Sequence, residues 1–300
     1  MKKPVVISFT NMKGGVAKTT LCVNLAFEVF RGAKKVLVVD NDPQFSSTNA
    51  LMNPKTYIDN IIKTDNYLTI YYIYEKPPRI RGQKQEKLDP KKFFHTTWHI
   101  TGRPDLVLDL IPSQIELYDT LSNPAHKEYL LDKFLKKHAT KYDYIFIDCP
   151  PTPSVLTLSG FAASDYVVIP VTPDYYATMG LPQFLGTLRD FKNRLFDPHD
   201  VTPLGVIFTN VERRMSTDAI KSMRRVRETL ADLSEAIPVF DSKMSHFKVY
   251  EKTLWQSVPV QKVTGRGTRG KSQATYELLH IENELNEKIE LREGMKAENG

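Results

Sequence analysis

Val5-Val6-Ile7-Ser8-Phe9-Thr10-Asn11-Met12-Lys13-Gly14-Gly15-Val16-Ala17-Lys18-Thr19-Thr20 is the stretch on which the fold turns. A short apolar run ends in a turn with two adjacent glycines, and a helical pattern follows from Lys18 to Phe30. Strand, glycine turn and helix in that order make a phosphate cradle. Backbone N–H groups exposed at glycines and at a helix N-terminus converge on one place, where the helix dipole also favours negative charge. In such a cradle Lys18 reaches the β- and γ-phosphates of a nucleotide, and the Thr19 hydroxyl is a ligand for Mg²⁺. The ordinary glycine spacing fails here. Its first glycine falls on Met12 and its last on Ala17.

Working outward, short apolar runs alternate with helical patterns. Strands are expected at Val5 to Phe9, Lys35 to Val39, Leu106 to Ile111, Tyr144 to Ile147, Tyr166 to Val171 and Leu204 to Thr209. They are apolar on both faces, as strands of a parallel sheet covered by helices must be. Helices are expected at Lys18 to Phe30, Gln114 to Leu121, Lys127 to His138, Val155 to Ala163, Tyr176 to Arg194, Thr217 to Leu233 and Gln273 to Leu291. This alternation predicts an α/β fold, a doubly wound and mostly parallel sheet flanked by helices. Between Asn53 and Pro104 the rhythm breaks. Tyr67 to Tyr74 reads as a short helix and Pro77 to Lys92 as a polar, basic loop, so about 53–104 is expected to be an insertion on a single domain spanning 1–300.

Composition bounds the function. The chain has 300 residues, 41% of them hydrophobic, which suits one α/β domain with a large core. No apolar run is long enough to span a bilayer, and the run after Lys2-Lys3 is too short for a signal peptide. A cytoplasmic protein is expected. Cys22 and Cys149 have neither disulfide nor metal-ligand spacing and read as packed thiols. The net charge is +6 and unevenly placed: Val201 to Thr275 holds thirteen Lys or Arg against seven Asp or Glu, whereas Tyr276 onward holds three against seven. Such a pattern points to a localised anion-binding surface.

Two carboxylate motifs accompany the loop. Val36-Leu37-Val38-Val39-Asp40-Asn41-Asp42-Pro43 ends a strand in two aspartates one residue apart, which alternation aims at the same side. Tyr144-Ile145-Phe146-Ile147-Asp148 is a second apolar strand capped by a carboxylate of the kind that binds Mg²⁺, usually through water. The prolines of Cys149-Pro150-Pro151 then force an extended turn.

The segment Lys13-Gly14-Gly15-x-x-Lys18-Thr19-Thr20, with its extra leading lysine, resembles the deviant Walker A motif of the ParA/MinD family of ATPases. Asp165 to Val171 and Tyr175 to Leu181 resemble its ParA, Soj-like branch. The resemblance implies a slow ATP hydrolase that uses ATP and Mg²⁺ and forms an ATP-dependent homodimer. Lys13, Gly14, Gly15, Val16, Ala17, Lys18, Thr19 and Thr20 would hold the nucleotide, with Lys13 crossing to that of the other subunit. Asp42 would position the attacking water, and Thr19, Asp40 and Asp148 would serve the metal site. Lys13, Lys18 and Asp42 are thus the catalytic candidates. Asn210 matches the family position that contacts adenine, though an asparagine there also suits a turn.

The basic segment supplies Arg213, Arg214, Lys221, Arg224 and Arg225, expected to open and line a helix whose apolar stripe is Ala219, Met223, Val226, Leu230 and Leu233. Lys248, Arg266 and Arg269 follow. Such a run is either a solvated face or a DNA surface. The resemblance implies non-specific double-stranded DNA, held through phosphates, together with a ParB-like centromere-binding partner and a place on the nucleoid. A membrane-bound regulator of the MinD kind is the alternative, but it needs a basic terminal helix, and here that helix carries Glu277, Glu282, Glu284, Glu287, Glu290 and Glu293. Another positioning ATPase with non-DNA cargo is also open. An electron-transfer iron protein would need cluster-ligating cysteines, which Cys22 and Cys149 do not supply. No helix-turn-helix precedes the loop, so operator-specific autoregulation is not expected.

Overall fold

The computed structural model describes residues 3–64, 66–75, 88–194, 201–233 and 237–298, with the backbone alone at 175–179, 191–194 and 296–298. In chain order the elements are β1 (Val5–Phe9), α1 (Lys18–Arg31), β2 (Val36–Asp40), α2 (Ser46–Leu51), α3 (Pro54–Tyr57), α4 (Tyr71–Tyr74), β3 (His95–Ile100), β4 (Arg103–Ile111), α5 (Tyr118–Ser122), α6 (Leu130–His138), β5 (Tyr144–Asp148), α7 (Val155–Ala163), β6 (Tyr166–Val171), α8 (Tyr175–Arg194), β7 (Thr202–Val211), α9 (Thr217–Ala231), β8 (Val239–Ser245), α10 (Glu251–Gln256) and α11 (Lys271–Glu298).

One eight-stranded sheet runs in the order β3-β4-β2-β5-β1-β6-β7-β8. All neighbours are parallel except β3 with β4. Alternation along each strand sorts the core into two layers. Val5, Ile7 and Phe9 of β1 join Val36, Val38 and Phe146 against α1 and α11 on one face. Val6, Leu37, Val39, Ile145 and Ile147 face α6 and α7 on the other, and Val167, Ile169, Val206 and Phe208 continue that layer beneath α8 and α9. β1 lies between β5 and β6. From β1 the chain goes one way to β2 and later returns to the other side at β6. Parallel direction brings the carboxyl ends of β1, β2, β5 and β7 to one rim, where open α/β sheets bind ligands.

All six expected strands are present, with ends moved by a few residues. β3 and β8 escaped the pattern because both are edge strands with mixed exposure, so their alternation is broken. Residues 53–104 contain ordered elements among the described residues. β3 pairs with β4, and Leu68, Ile70, Tyr74 and Phe93 are buried in the α6–α7 layer. The expected helix at Tyr67 to Tyr74 shrinks to one turn, and residues 77–87 of the Pro77 to Lys92 loop lie outside the described residues. Arg213 and Arg214 do not open a helix. They sit in the turn after β7, and α9 starts four residues later behind Ser216, whose hydroxyl accepts from the Ala219 N–H. The terminal helix is longer than expected, and its glutamates have a structural task. Glu284 accepts from the Asp241 and Ser242 N–H groups and Glu277 from Ser245, so α11 covers the open edge of β8.

Candidate nucleotide site

The glycine turn is held from three sides. Asn11 donates to the Pro170 carbonyl and accepts from the Lys13 N–H, tying the turn to β6. From β7, Thr209 donates to the Val16 carbonyl at 2.8 Å and Asn210 to the Gly15 carbonyl at 3.1 Å. Lys18 folds back to the Lys13 carbonyl at 3.3 Å. Gly15 is left-handed at φ 75°, and a Cβ added at Gly14 or Gly15 would meet nothing within 4 Å. The concave side of the turn is therefore open, as a cradle approached by phosphate oxygens must be. Ala17 is also left-handed, at φ 59°. That conformation suits glycine and costs an alanine about 1 kcal/mol.

Behind the turn, charge is out of balance. Asp40, Asp42 and Asp148 are all buried, and the buried Lys18 faces them. Asp148 Oδ2 accepts from the Thr19 hydroxyl at 2.7 Å and from Ser47 at 2.8 Å. Its other oxygen, Oδ1, is buried with no hydrogen-bond partner among the described residues. Burial pushes Asp148 up to about 6, against the pull of Thr19 and Ser47. Burial also raises Asp40, with Asp148 adding to the effect and two Thr48 bonds opposing it. Asp42 is raised by burial and relieved by the Gln44 N–H and Lys18. Burial lowers Lys18, while Asp148 and Asp42 work the other way. A divalent cation is the charge this pocket lacks. Asp148, with an oxygen left unpartnered among the described residues, and the neighbouring Thr19 hydroxyl are oxygen donors that would suit Mg²⁺. No group of three or more His, Cys, Asp or Glu that could hold a metal ion is found among the described residues.

Sequence reasoning placed the loop, Thr19, Asp42 and Asp148 together, and the structure brings them together. It gives two residues other surroundings. Asp40 is not open to the crevice. Its Oδ2 is taken by the Thr48 N–H and hydroxyl, both at 2.7 Å, so it anchors α2 behind the site. Lys13 lies at the rim and pairs with Asp174 of its own chain, at the start of α8. Ser47, Thr48, Ser113, Asp174 and Thr209 were missed. Ser113 donates to the Asp42 carbonyl, and its own N–H reaches Thr48. The signal available was the polar run Ser46-Ser47-Thr48-Asn49 after Asp42-Pro43, which suits a helix start better than a core.

The basic residues divide between two layers. α9 buries Val226 and Leu230 in the α8 layer and leaves Lys221, Arg224 and Arg225 exposed. Arg224 pairs with Glu228 at 2.7 Å. Lys248, Arg266 and Arg269 are exposed on the far side of the sheet edge, where Val249 and Val263 join the α11 layer. Arg213, Arg214 and Lys248 follow the carboxyl ends of the adjacent strands β7 and β8, at the same rim as the glycine turn. Cys22 and Cys149 are buried and burial raises both thiols, Cys22 well above the usual range.

Comparison with known proteins agrees with this geometry. The AAA domain family AAA_31 matches residues 4–199. The Bacillus subtilis sporulation initiation inhibitor protein Soj is 34% identical over 227 residues, covering 76% of this chain and 80% of that protein. The Myxococcus xanthus chromosome partitioning protein ParA is 35% identical over 210 residues, covering 70% and 66%. Among solved structures, a putative plasmid partition protein of Borrelia burgdorferi bound to AMPPNP superposes with a TM-score of 0.69 over 95% of this chain and all of that one. At 24% identity that likeness speaks for the fold.

Proposed function

The chain belongs to the ParA/MinD family of P-loop ATPases, in its ParA/Soj branch, and from that premise we propose that it is a partition ATPase. It binds ATP with Mg²⁺, closes as a nucleotide sandwich dimer, and in that state holds double-stranded DNA without sequence preference. The observation that carries the nucleotide chemistry is Asp148 Oδ1, buried without a hydrogen-bond partner among the described residues behind an open glycine cradle, beside the buried Asp40, Asp42 and Lys18.

Each side chain has a task under this reading. Gly14 to Thr20 present N–H groups to the phosphates, and Lys18 places its ammonium among them. Thr19 and Asp148 hold the metal, which supplies neutralisation of phosphate charge. Asp42 accepts from the Gln44 N–H through Oδ1. That bond and the Ser113 contact to its carbonyl fix the carboxylate, which orients the attacking water. Lys13 leaves Asp174 when two chains meet and reaches the nucleotide of the other subunit. Losing the γ-phosphate removes a contact shared by both chains, so the dimer opens. A ParB-like protein that favours the reactive geometry accelerates an otherwise slow step.

The rim position of Arg213, Arg214 and Lys248 supports coupling of DNA binding to the nucleotide, since a closing dimer would set two such edges side by side. A MinD-like membrane role is disfavoured, because α11 spends Leu278, Ile281, Leu285 and Ile289 on the core and Glu277 and Glu284 on β8. No helix among the described residues is long and apolar enough to cross a membrane. Co-sedimentation with random-sequence DNA, without nucleotide, with ADP and with ATP, tests the proposal. Binding should need ATP and should weaken steeply with salt. Equal binding in all three states would end the partition reading.

A further inference from the structure

Trp255 is 89% exposed, more than any other large hydrophobic residue among those described. It does not hang on a loose loop. α10 turns Thr253 into the core and clasps the following glycine-rich loop with two side chains: Gln256 exchanges hydrogen bonds with Thr264, at 3.0 and 3.1 Å, and Lys252 donates to the Arg266 carbonyl. The loop in turn sits close against the helix and the residue before its entry turn. A Cβ added at Gly267 would come within 3.0 Å of Lys252 Nζ, and one at Gly270 within 2.7 Å of Phe247. Both glycines have positive φ. Lys271 caps the loop by donating to the Val263 carbonyl at 2.8 Å.

The carbonyls of the loop are thus turned toward lysine and glutamine donors, while Arg266 and Arg269 extend from its outer side. Lys248 is exposed in the turn before α10, and Leu254 beside Trp255 is half exposed. Between Phe247 and Lys271 there are six Lys or Arg and one acidic residue, Glu251. The exposed indole thus stands on a fixed helix in a segment rich in cations. It matches a polyanion that also offers flat apolar faces.

We propose that Trp255 is the apolar contact of the DNA surface, lying against sugars or wedging at a base step in the minor groove of duplex DNA while Lys248, Arg266 and Arg269 take the phosphates. This rests on the partition reading above. Sugars are alike at every position, so the contact adds affinity without sequence preference. An apolar wedge beside cations is also how architectural proteins hold duplexes without a base code. Anionic lipid is the poorer match. A six-residue helix offers two apolar side chains, whereas an interfacial helix needs a continuous apolar face.

The chain has two tryptophans, and Trp98 is packed edge-on against Phe27. Trp98→Phe therefore leaves Trp255 as the lone reporter. In ATP, titration with random-sequence duplex should change its emission and shield it from acrylamide. Trp255→Ala should weaken binding roughly five- to hundredfold with the salt slope unchanged, and Trp255→Phe should restore part of the loss. Lys248→Gln should instead lower the slope by about one. If Trp98→Phe does not fold, the two-tryptophan chain with Trp255→Ala subtracted gives the same signal. DNA that co-sediments with the protein but leaves Trp255 emission and the Trp255→Ala affinity unchanged overturns the inference and spares the partition reading. No co-sedimentation at any salt removes both. A response to phosphatidylserine vesicles with none to DNA assigns the indole to lipid and overturns the inference.

Discussion

The nucleotide pole and the basic edge stand at the same rim of the sheet but are built on opposite terms. Around the glycine turn, polar atoms are committed to one another: Asp40 to Thr48, Asp148 to Thr19 and Ser47, Asn210 to Gly15, Asp42 to Gln44. Along the edge of β7 and β8, Arg213, Arg214, Lys221 and Arg225 are exposed, and Arg224 is held by a single surface pair. Chemistry on a phosphate needs donors fixed to a fraction of an ångström, and only buried, mutually bonded groups give that. Binding a polyanion needs positive charge nearby and tolerates a choice of side chains. The first requirement leaves a motif. The second leaves a composition bias.

The sharpest way to break this contrast is Asp42→Ala. Hydrolysis should fall by about two to four orders of magnitude, while ATP-dependent DNA binding persists, since the cradle and the basic edge are untouched. Rapid release from DNA in ATP would show that Asp42 is not the water-positioning group. Next comes Lys13→Ala, expected to abolish ATP-dependent dimerisation by light scattering and to leave the melting temperature near that of the parent. Lys13 and Asp174 are each about one-third exposed, so the pair they form adds little to stability. An unchanged dimer would remove the cross-subunit role.

A smaller effect is expected of Thr48→Val. It strips one of two Thr48 bonds from the buried Asp40 and deprives the Ser113 N–H of its acceptor, and should cost about 1–3 kcal/mol in chemical unfolding. A cost near zero would mean that the pocket behind the loop is less tightly bound than its contacts indicate. The smallest effect on the fold belongs to the edge. Arg214→Gln and Arg225→Gln should change stability by less than about 0.5 kcal/mol, and each should lower the salt slope of DNA binding by about one. Arg224→Glu with Lys248→Glu should weaken all DNA sequences alike, with Lys248 the larger contributor because Arg224 is shared with Glu228. A change of sequence preference would mean that bases are read.

Much of this was legible from the chain alone. Residues Val5 to Thr20 declared a strand, a cradle and a helix because those three elements must be contiguous to work, and β2 and β5 announced themselves as apolar runs ending in Asp40 and Asp148. Local periodicity reports burial on both faces, so central parallel strands are easy to see. Edge strands β3 and β8 are half wetted, and β8 depends on glutamates of α11 more than thirty residues away, so no local signal marks either.

Tertiary structure alone decided what surrounds the carboxylates. Spacing cannot distinguish Asp42, which stays within reach of the crevice, from Asp40, which a threonine eight residues later takes for itself. Nor can it show that Lys13 rests on Asp174, or that an indole stands outside the core, because those outcomes depend on which distant segments meet. A sequence fixes contacts within a turn or two through backbone geometry; whether a side chain faces water, metal or a carboxylate is settled only when the sheet closes and the long-range neighbours arrive.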